Sequence, residues 1–510
     1  MGEQDRPVVV IGAGVGGLAA AIRLRAMGHS VVVLEARDQP GGRAGVFRRS
    51  GYTFDAGPTV ITAPHLFSEL FELVGRQQSD YVEFVPVDPF YRILLDDGTT
   101  FDYVGDTGRM MAQIRRFGDR EVEGYRRLIE QSRQIFELGY EQLADQPFSS
   151  PVDMMRLIPA MVRLQSWRSV YGLVSRYLKD ERLRRIFSFQ PLLVGGNPFT
   201  VTSIYLLIHW VEKKWGVHFA MGGTTRLVAA LVEVLEEVGV PVRLSTPVEE
   251  IVVERGGVTA VRTASGDRIP CRFVVCNGDP TYTYRHLIKS HRCRRNTQRR
   301  LERMRQSMGL FVGFFGTDKI YPDVTHHTIV MGRRYRRLLN DIFNDKRLAD
   351  DFSLYLHRPT ATDRSLAPDG HDAFYVLSPV PNTVADIDWK SRGPSYFDEI
   401  LGHLERRLLP GLGEHLTEKF WICPRYFEEE LRSEAGAGFG PEPRLGQSAW
   451  FRFHNRSPDV DGLYFVGAGV HPGAGLPGVL NSANVTARLV PLPARPIPLL
   501  MPQMALRRQA

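Results

Sequence analysis

The chain has 510 residues, 43% hydrophobic and 24% charged, a composition that excludes a disordered or fibrous protein and predicts about three folded units. Sixty-four Lys and Arg against 57 Asp and Glu leave a net charge of +7, which favours an anionic surface but is too diffuse to announce a nucleic-acid binder. Cys271, Cys276, Cys293 and Cys423 form no CxxC pair, which argues against a disulfide framework or a cysteine metal cluster and points to a reducing, cytoplasmic compartment; no metal is expected.

The polar opening MGEQDRP leads straight into an apolar segment and does not read as a secretory signal. No stretch reaches the ~18 consecutive apolar residues of a spanning helix. The longest candidates, near 157–164 and 204–211, are short and bounded by charge, so any membrane contact is expected to be peripheral.

Val8-Val9-Val10-Ile11 is the first predicted strand, followed by Gly12-Ala-Gly14-Val-Gly-Gly17, a helix over Leu18 to Met27, and a second strand from Ser30 to Leu34. Glu35 closes that strand 23 residues after Gly12. Strand, glycine turn, helix, strand and acid together make a dinucleotide fingerprint. Gly12 permits the tight turn, Gly14 lets backbone approach a pyrophosphate, and Gly17 lets helix pack on strand. The helix N-terminus offers its partial positive charge to the phosphates, and Glu35 can accept hydrogen bonds from ribose hydroxyls.

Ala36-Arg37-Asp38-Gln39-Pro40-Gly41-Gly42-Arg43 then resembles the glycine-doublet extension of the glutathione-reductase-like flavoproteins, in the branch holding amine oxidases and carotenoid desaturases. The resemblance implies FAD, with Gly41 and Gly42 close to the cofactor and Arg43 neutralising phosphate charge. Asp55-Ala-Gly57-Pro58 matches the segment that passes beside the flavin in that branch, although Gly57-Pro58 is also an ordinary turn.

Farther along, strands are predicted at 82–86, 90–95 and 99–103, the last two around Gly98, and together they suggest a hairpin. Helices are predicted at 120–140, 152–166, 168–187 and 202–214. After Gly222 come a helix from Thr225 to Glu237 and strands near 241–244, 248–254, 258–263 and 272–276. Val248 falls where the superfamily lays backbone against adenine; a place in a strand core explains this valine equally well. Residues 285–305 carry nine Lys or Arg against Glu302 alone, and Arg333, Arg334, Arg336 and Arg337 repeat the theme. Such runs ordinarily form solvated faces; attraction to anionic lipid, at ~1 kcal/mol per basic residue, is the alternative. Neither run has the motif or interleaved aromatics of a nucleic-acid site, and no nucleic-acid partner is expected.

Leu463 to Val466 is a strand leading into Gly467-Ala-Gly469-Val-His471-Pro472-Gly473-Ala-Gly475-Leu-Pro477-Gly478-Val479, then a helix from Leu480 to Leu489. Five glycines before a helix make a backbone surface that a flat ring can approach, with a helix N-terminus placed to stabilise negative charge. This segment, with His454-Asn455-Arg456-Ser457, Phe189 to Pro198, Trp215 to Phe219 and Gly222-Gly223-Thr224, resembles the bacterial-type phytoene desaturases from residue 7 to about 490.

That resemblance implies an FAD enzyme that removes hydrogen pairs from the C40 polyene phytoene, towards neurosporene or lycopene, by hydride transfer to flavin. No second GxGxxG follows a strand, so oxygen or a quinone is the expected final acceptor. The fold expected is α/β (α+β): a Rossmann-like FAD-binding domain of the glutathione-reductase/amine-oxidase type over 1–81, 220–285 and 455–490, with a sheet-based substrate domain over 82–106 and 286–454. A helical, membrane-facing insertion over 107–219 and a flexible tail over 491–510 complete it. Cofactor contacts are expected from Gly12, Gly14, Gly17, Glu35, Ala36, Gly41, Gly42, Arg43, Asp55, Gly57, Pro58, Val248, Gly467, Gly469, Gly478 and Val479.

Asp153 and Arg156 stand at i and i+3 of a helix after Pro151. In the resembled family an acid and an arginine at this motif have been considered for acid–base roles; a surface ion pair worth roughly a few tenths of a kcal/mol is the competing reading. His218 and His471 are candidates by residue type, His471 more as a shaper of the flavin loop. Bilayer contact is expected from Leu157, Ile158, Met161, Leu164 and Trp167. The alternatives left open are a later-acting carotenoid desaturase, a carotenoid isomerase and a non-catalytic isoprenoid-lipid carrier; the segment Leu463 to Val479 argues against an amine oxidase.

Overall fold

The computed structural model describes residues 6–147 and 151–499. β1 (Val8–Ile11) pairs in parallel with β2 (Val31–Leu34) across α1 (Val15–Ala26). Strands from far along the chain complete a five-stranded parallel sheet in the order Leu463–Phe465, Phe273–Cys276, β1, β2, Val242–Arg243. Apart from the edge strand Val242–Arg243, these strands read as unbroken apolar runs because both faces are covered. Val8 and Val10 pack into the core shared with α1 and with the helices Thr224–Glu237 and Leu476–Leu489. Val9 points the other way, into the core shared with the three-stranded antiparallel sheet of Val248–Glu254, Gly257–Thr263 and Arg268–Pro270.

A second sheet of seven strands runs Leu416–Ile422, Gly309–Thr317, Asp372–Val380, Leu354–His357, His327–Val330, Tyr91–Leu94, Thr100–Tyr103. All its neighbours are antiparallel except His327–Val330 beside Tyr91–Leu94. Gly309–Thr317 shows how the two faces divide: Leu310, Val312 and Phe314 enter the core shared with the helical segments between 107 and 215. Phe311 and Phe315 enter the core under the Trp389–Arg407 helix. The expected mixed helix and sheet architecture is therefore present, and a large space lies between the first face of this sheet and the helices.

Several predicted elements differ in detail. Phe84–Pro86 pairs with His218–Ala220 and stays outside the hairpin, which consists of Tyr91–Leu94 and Thr100–Tyr103 alone. The helix predicted over 168–187 is two, Val170–Tyr177 and Glu181–Ile186. Asp180 ends the extended break between them by accepting from the Arg182 N–H at 2.8 Å, an N-cap that restarts the helix. The segment 202–214 opens with a tight single turn, Ser203–Leu206, before the helix Leu207–Trp215. The last helix starts at Leu476, four residues before the predicted start, because Pro477 is tolerated in a first turn whose N–H groups have no intrahelical partner.

Candidate active site: a glycine cradle opening into an apolar cavity

Three backbone turns meet at the C-terminal ends of the parallel strands. After β1, Gly12 adopts φ +94°, in the left-handed region that only glycine enters freely. A Cβ on Gly17 would overlap the Gly12 carbonyl oxygen, so glycine there is what seats α1 on the strand end. A Cβ on Gly14 would stand 2.7 Å from Asn277 Nδ2, and one on Gly16 would stand 2.6 Å from Asn277 Oδ1 and 3.1 Å from Val479 Cγ1. No side chain among the described residues caps α1 at Gly14 or the C-terminal helix at Gly475. Both open helix ends border the same cavity, leaving backbone N–H groups and two positive dipole ends for an anionic or electron-rich ligand.

Glu35 is buried at the end of β2. One carboxylate oxygen accepts from the Ala13 N–H at 2.7 Å and the other from the Arg37 N–H at 3.0 Å, which holds the carboxylate toward the turn with lone pairs remaining for hydroxyls. Arg43 donates to Ser433 Oγ at 2.8 Å while, among the described residues, its Nε has no partner. Burial lowers the Arg43 pKa and the nearby Asp279 raises it. Arg43 Nε and Arg37 Nη1, without a hydrogen-bond partner among the described residues, the glycine floor and the two open helix ends fit the phosphates, ribose and ring of a dinucleotide.

Thirteen of the sixteen expected contacts line this cavity: Gly12, Gly14, Glu35, Ala36, Gly41, Gly42, Arg43, Gly57, Pro58, Val248, Gly467, Gly478 and Val479. The other three lie one layer back. Gly17 seats the helix, and a Cβ on Gly469 would meet Pro280 Cδ. Asp55 accepts from the Thr224 N–H at 2.9 Å and the Thr225 N–H at 3.2 Å, capping the Thr224–Glu237 helix. Burial pushes its carboxyl up to about 6 against the pull of those N–H groups.

The sequence reading missed Asn277 and Asp279. Asn277 donates its N–H to the Ile11 carbonyl at 2.8 Å and sits against the whole glycine turn. Asp279 accepts from Thr281 and Tyr282 N–H groups and faces Arg43. The available signal was Phe273-Val-Val-Cys276 followed by Asn-Gly-Asp, a buried strand ending in a turn, as β1 does.

The cavity as a whole is about 600 Å³, and beyond the cradle it is walled mostly by hydrocarbon. Ile135, Leu138, Leu192 and Leu207 face it from the helices, and Leu310, Ile329 and Leu377 from the seven-stranded sheet. On the Pro151–Arg163 helix, Met154, Leu157 and Met161 line it. Arg156 is exposed on the same helix and is not among the lining residues, and the side chain of Asp153 lies outside the described residues. His471 lines the cavity, and burial lowers its pKa to about 4, leaving a neutral imidazole; His218 does not line it.

One acid does stand in this apolar wall. Glu212 is fully buried, accepts from the Tyr91 hydroxyl at 2.7 Å, and has no partner for Oε2 among the described residues. Burial pushes it up to about 8, so it is neutral at pH 7. Part of the basic runs is tied to the chain's own groups, Arg285 to Glu434, Arg305 to Glu442, Arg334 and Arg337 to Asp341, and Arg336 over the Phe199 ring, while Lys289, Arg292, Arg294, Arg295, Arg299, Arg303 and Arg333 are exposed.

Residues 15–491 match the family model described as flavin containing amine oxidoreductase. The chain is also 49% identical over 486 residues to a phytoene desaturase (lycopene-forming) of Pseudescherichia vulneris, covering 95% of this chain and 99% of that one. It belongs to the carotenoid-desaturase branch of the flavin-containing amine oxidoreductases. A phytoene desaturase (neurosporene-forming) of Rhodobacter capsulatus is 44% identical over 494 residues, 96% of this chain and 94% of the relative. Among solved structures, a cyclohexylamine oxidase from Brevibacterium oxydans superposes with a TM-score of 0.62 at 17% identity, over 95% of this chain and 98% of that one, and shows the fold alone. The cofactor of the family is FAD, and this protein is an FAD oxidoreductase whose cradle fits it.

Proposed function

We propose that this protein desaturates phytoene, introducing double bonds on the way to neurosporene or lycopene. The observation that carries this reading is continuity: a single cavity joins the FAD cradle to hydrocarbon walls, with Glu212 there protonated at pH 7. When bound, FAD supplies a two-electron hydride acceptor. The chain's residues do the rest. Glu35, Arg43 and the two open helix ends hold the cofactor; the apolar walls take up the polyene, exclude water and align one C–H bond at a time. A carboxyl that is neutral at pH 7 keeps a charge out of this wall but is no base there. With Arg156 on the exposed side of its helix, the proposed reaction rests on placement and needs no Asp153–Arg156 pair.

Purified protein with FAD and phytoene in liposomes, without NAD(P)H, is expected to give coloured carotenoids with oxygen or a quinone as acceptor. Untouched phytoene beside a reacting, already desaturated carotene would replace this reading with a later-acting desaturase or isomerase. A colourless protein that never retains FAD would replace it with a lipid carrier.

A peripheral membrane site on the cytoplasmic face belongs to the same proposal. No helix among the described residues is long and apolar enough to cross a membrane. The Pro151–Arg163 helix nevertheless exposes Met155, Ile158 and Val162, at 66, 53 and 56%, on the flank next to its cavity-lining face, and Trp167 follows at 57%. Of the five residues expected to touch lipid, Ile158 and Trp167 face outward; Leu157, Met161 and Leu164 face inward. Arg156 and Arg163 beside them can reach headgroups. This would set the cavity's helical wall against the bilayer in which phytoene dissolves.

A further inference from the structure

Three histidines converge behind the cavity wall and are not among the residues that line it. His327 and His357 are directly paired across adjacent antiparallel strands, and His326 precedes the first of these strands. All three are buried, with ring centroids 4.5 Å (His326 to His327), 4.8 Å (His326 to His357) and 5.3 Å (His327 to His357) apart. One ring nitrogen from each lies within 4.8 Å of the other two.

One ring nitrogen is engaged in each of two of them. His326 Nδ1 shares a hydrogen with Thr362 Oγ1 at 2.6 Å, and His327 Nδ1 with the Tyr355 hydroxyl at 2.7 Å. Among the described residues, no hydrogen-bond partner reaches His326 Nε2 or His327 Nε2, and the His357 ring lies against the backbone of His326. In the tautomer in which each Nδ1 donates to its hydroxyl, both Nε2 atoms are left with lone pairs. Buried nitrogens of this kind are costly when nothing meets them. Imidazoles whose second nitrogen is held by an oxygen, around a common point, are how proteins present histidine to a metal.

We propose that His326, His327 and His357 form a binding site for one divalent transition-metal ion of borderline softness, of which Zn²⁺ is the type. Three neutral imidazoles suit such an ion and leave a fourth position for a small oxygen ligand. Nitrogens bonded to zinc at ~2.1 Å in a tetrahedron sit about 3.4 Å apart, so the rings need move by only about 1 Å. A cationic neighbour, Arg358 beside His326, is itself held by the fully buried Asp372 at 2.9 Å. The ion would tie the two strands together and fix Tyr355, which lines the cavity and bonds Thr59 Oγ1 at 2.6 Å.

The test is cobalt and zinc uptake by the chelator-treated, FAD-loaded protein, with its flavin band and circular dichroism confirming that it is folded. The expected result is one Co²⁺ per chain, with the ligand-field bands of a nitrogen-ligated tetrahedral ion at longer wavelength than the flavin, displaced by one Zn²⁺. His357→Gln is expected to abolish uptake. Thr362→Val, which removes only an outer partner and keeps every ligand, is expected to weaken it by about 10- to 100-fold. Folded wild-type protein that takes up neither ion stoichiometrically overturns the proposal. Uptake unchanged in Thr362→Val, or in a folded His357→Gln protein, also overturns it by placing the ion elsewhere.

Discussion

Glu212→Gln tests the interior of the cavity most directly, because glutamine is close in shape to the neutral acid and cannot ionise. In the native state Glu212 holds its proton up to about pH 8, whereas in the unfolded chain it releases it near 4.5. Between these values the native state binds more protons than the unfolded state, so stability falls as pH rises from about 4.5 to 8 and levels off beyond. At pH 7 the two and a half pH units above 4.5, at about 1.4 kcal/mol each, make the deficit about 3 kcal/mol; at pH 5 it is below about 1 kcal/mol. Glutamine removes that pH-dependent deficit. For a chain of this size about 3 kcal/mol corresponds to a Tm difference of about 3 °C. Thermal unfolding of both FAD-loaded proteins from pH 5 to 8 should therefore show the variant nearly level with wild type at pH 5 and progressively more stable toward pH 8. Two parallel Tm curves would refute the reasoning, since they require a carboxyl already ionised or solvated in the native protein.

Gly14→Val should yield folded protein with little FAD, because even a Cβ would stand 2.7 Å from Asn277 Nδ2; flavin absorbance per chain measures it, and wild-type occupancy would contradict it. Gly17→Ala should cost stability as well as FAD, by about 1 to 3 kcal/mol or more, because its methyl overlaps the Gly12 carbonyl; denaturant titration of the apoprotein checks this. Glu35→Gln keeps the shape but puts an amide NH₂, a donor, where one of the two oxygens accepts from the Ala13 or Arg37 N–H, and is expected to weaken FAD binding by roughly tenfold, one charge-assisted hydrogen bond. Replacing both Met155 and Ile158 with Glu should abolish flotation with liposomes while FAD content and Tm stay near wild type. Retained flotation would move the membrane contact elsewhere.

The nucleotide half of the site was readable because its determinants are local. Gly12, Gly14 and Gly17, the flanking apolar runs and Glu35 act through a turn, a helix start and a strand end within one βαβ unit, so spacing alone carries the geometry. Gly467 to Val479 was readable for the same reason, a strand, a glycine-rich turn and a helix in succession. What the sequence could not show is which distant segment completes that cradle. Asn277 and Asp279 reach the glycine turn only because Phe273–Cys276 pairs with β1, and strand order is a property of the whole sheet. The Pro151–Arg163 helix is apolar on two adjacent flanks, so periodicity could not say that Met154, Leu157 and Met161 face the cavity while Arg156, Met155 and Ile158 face out. Glu212 and the three histidines look ordinary in sequence; burial beside partners from other strands and helices changes their chemistry, because the cost of a charge or an unmet nitrogen depends on what surrounds it, and only packing decides that.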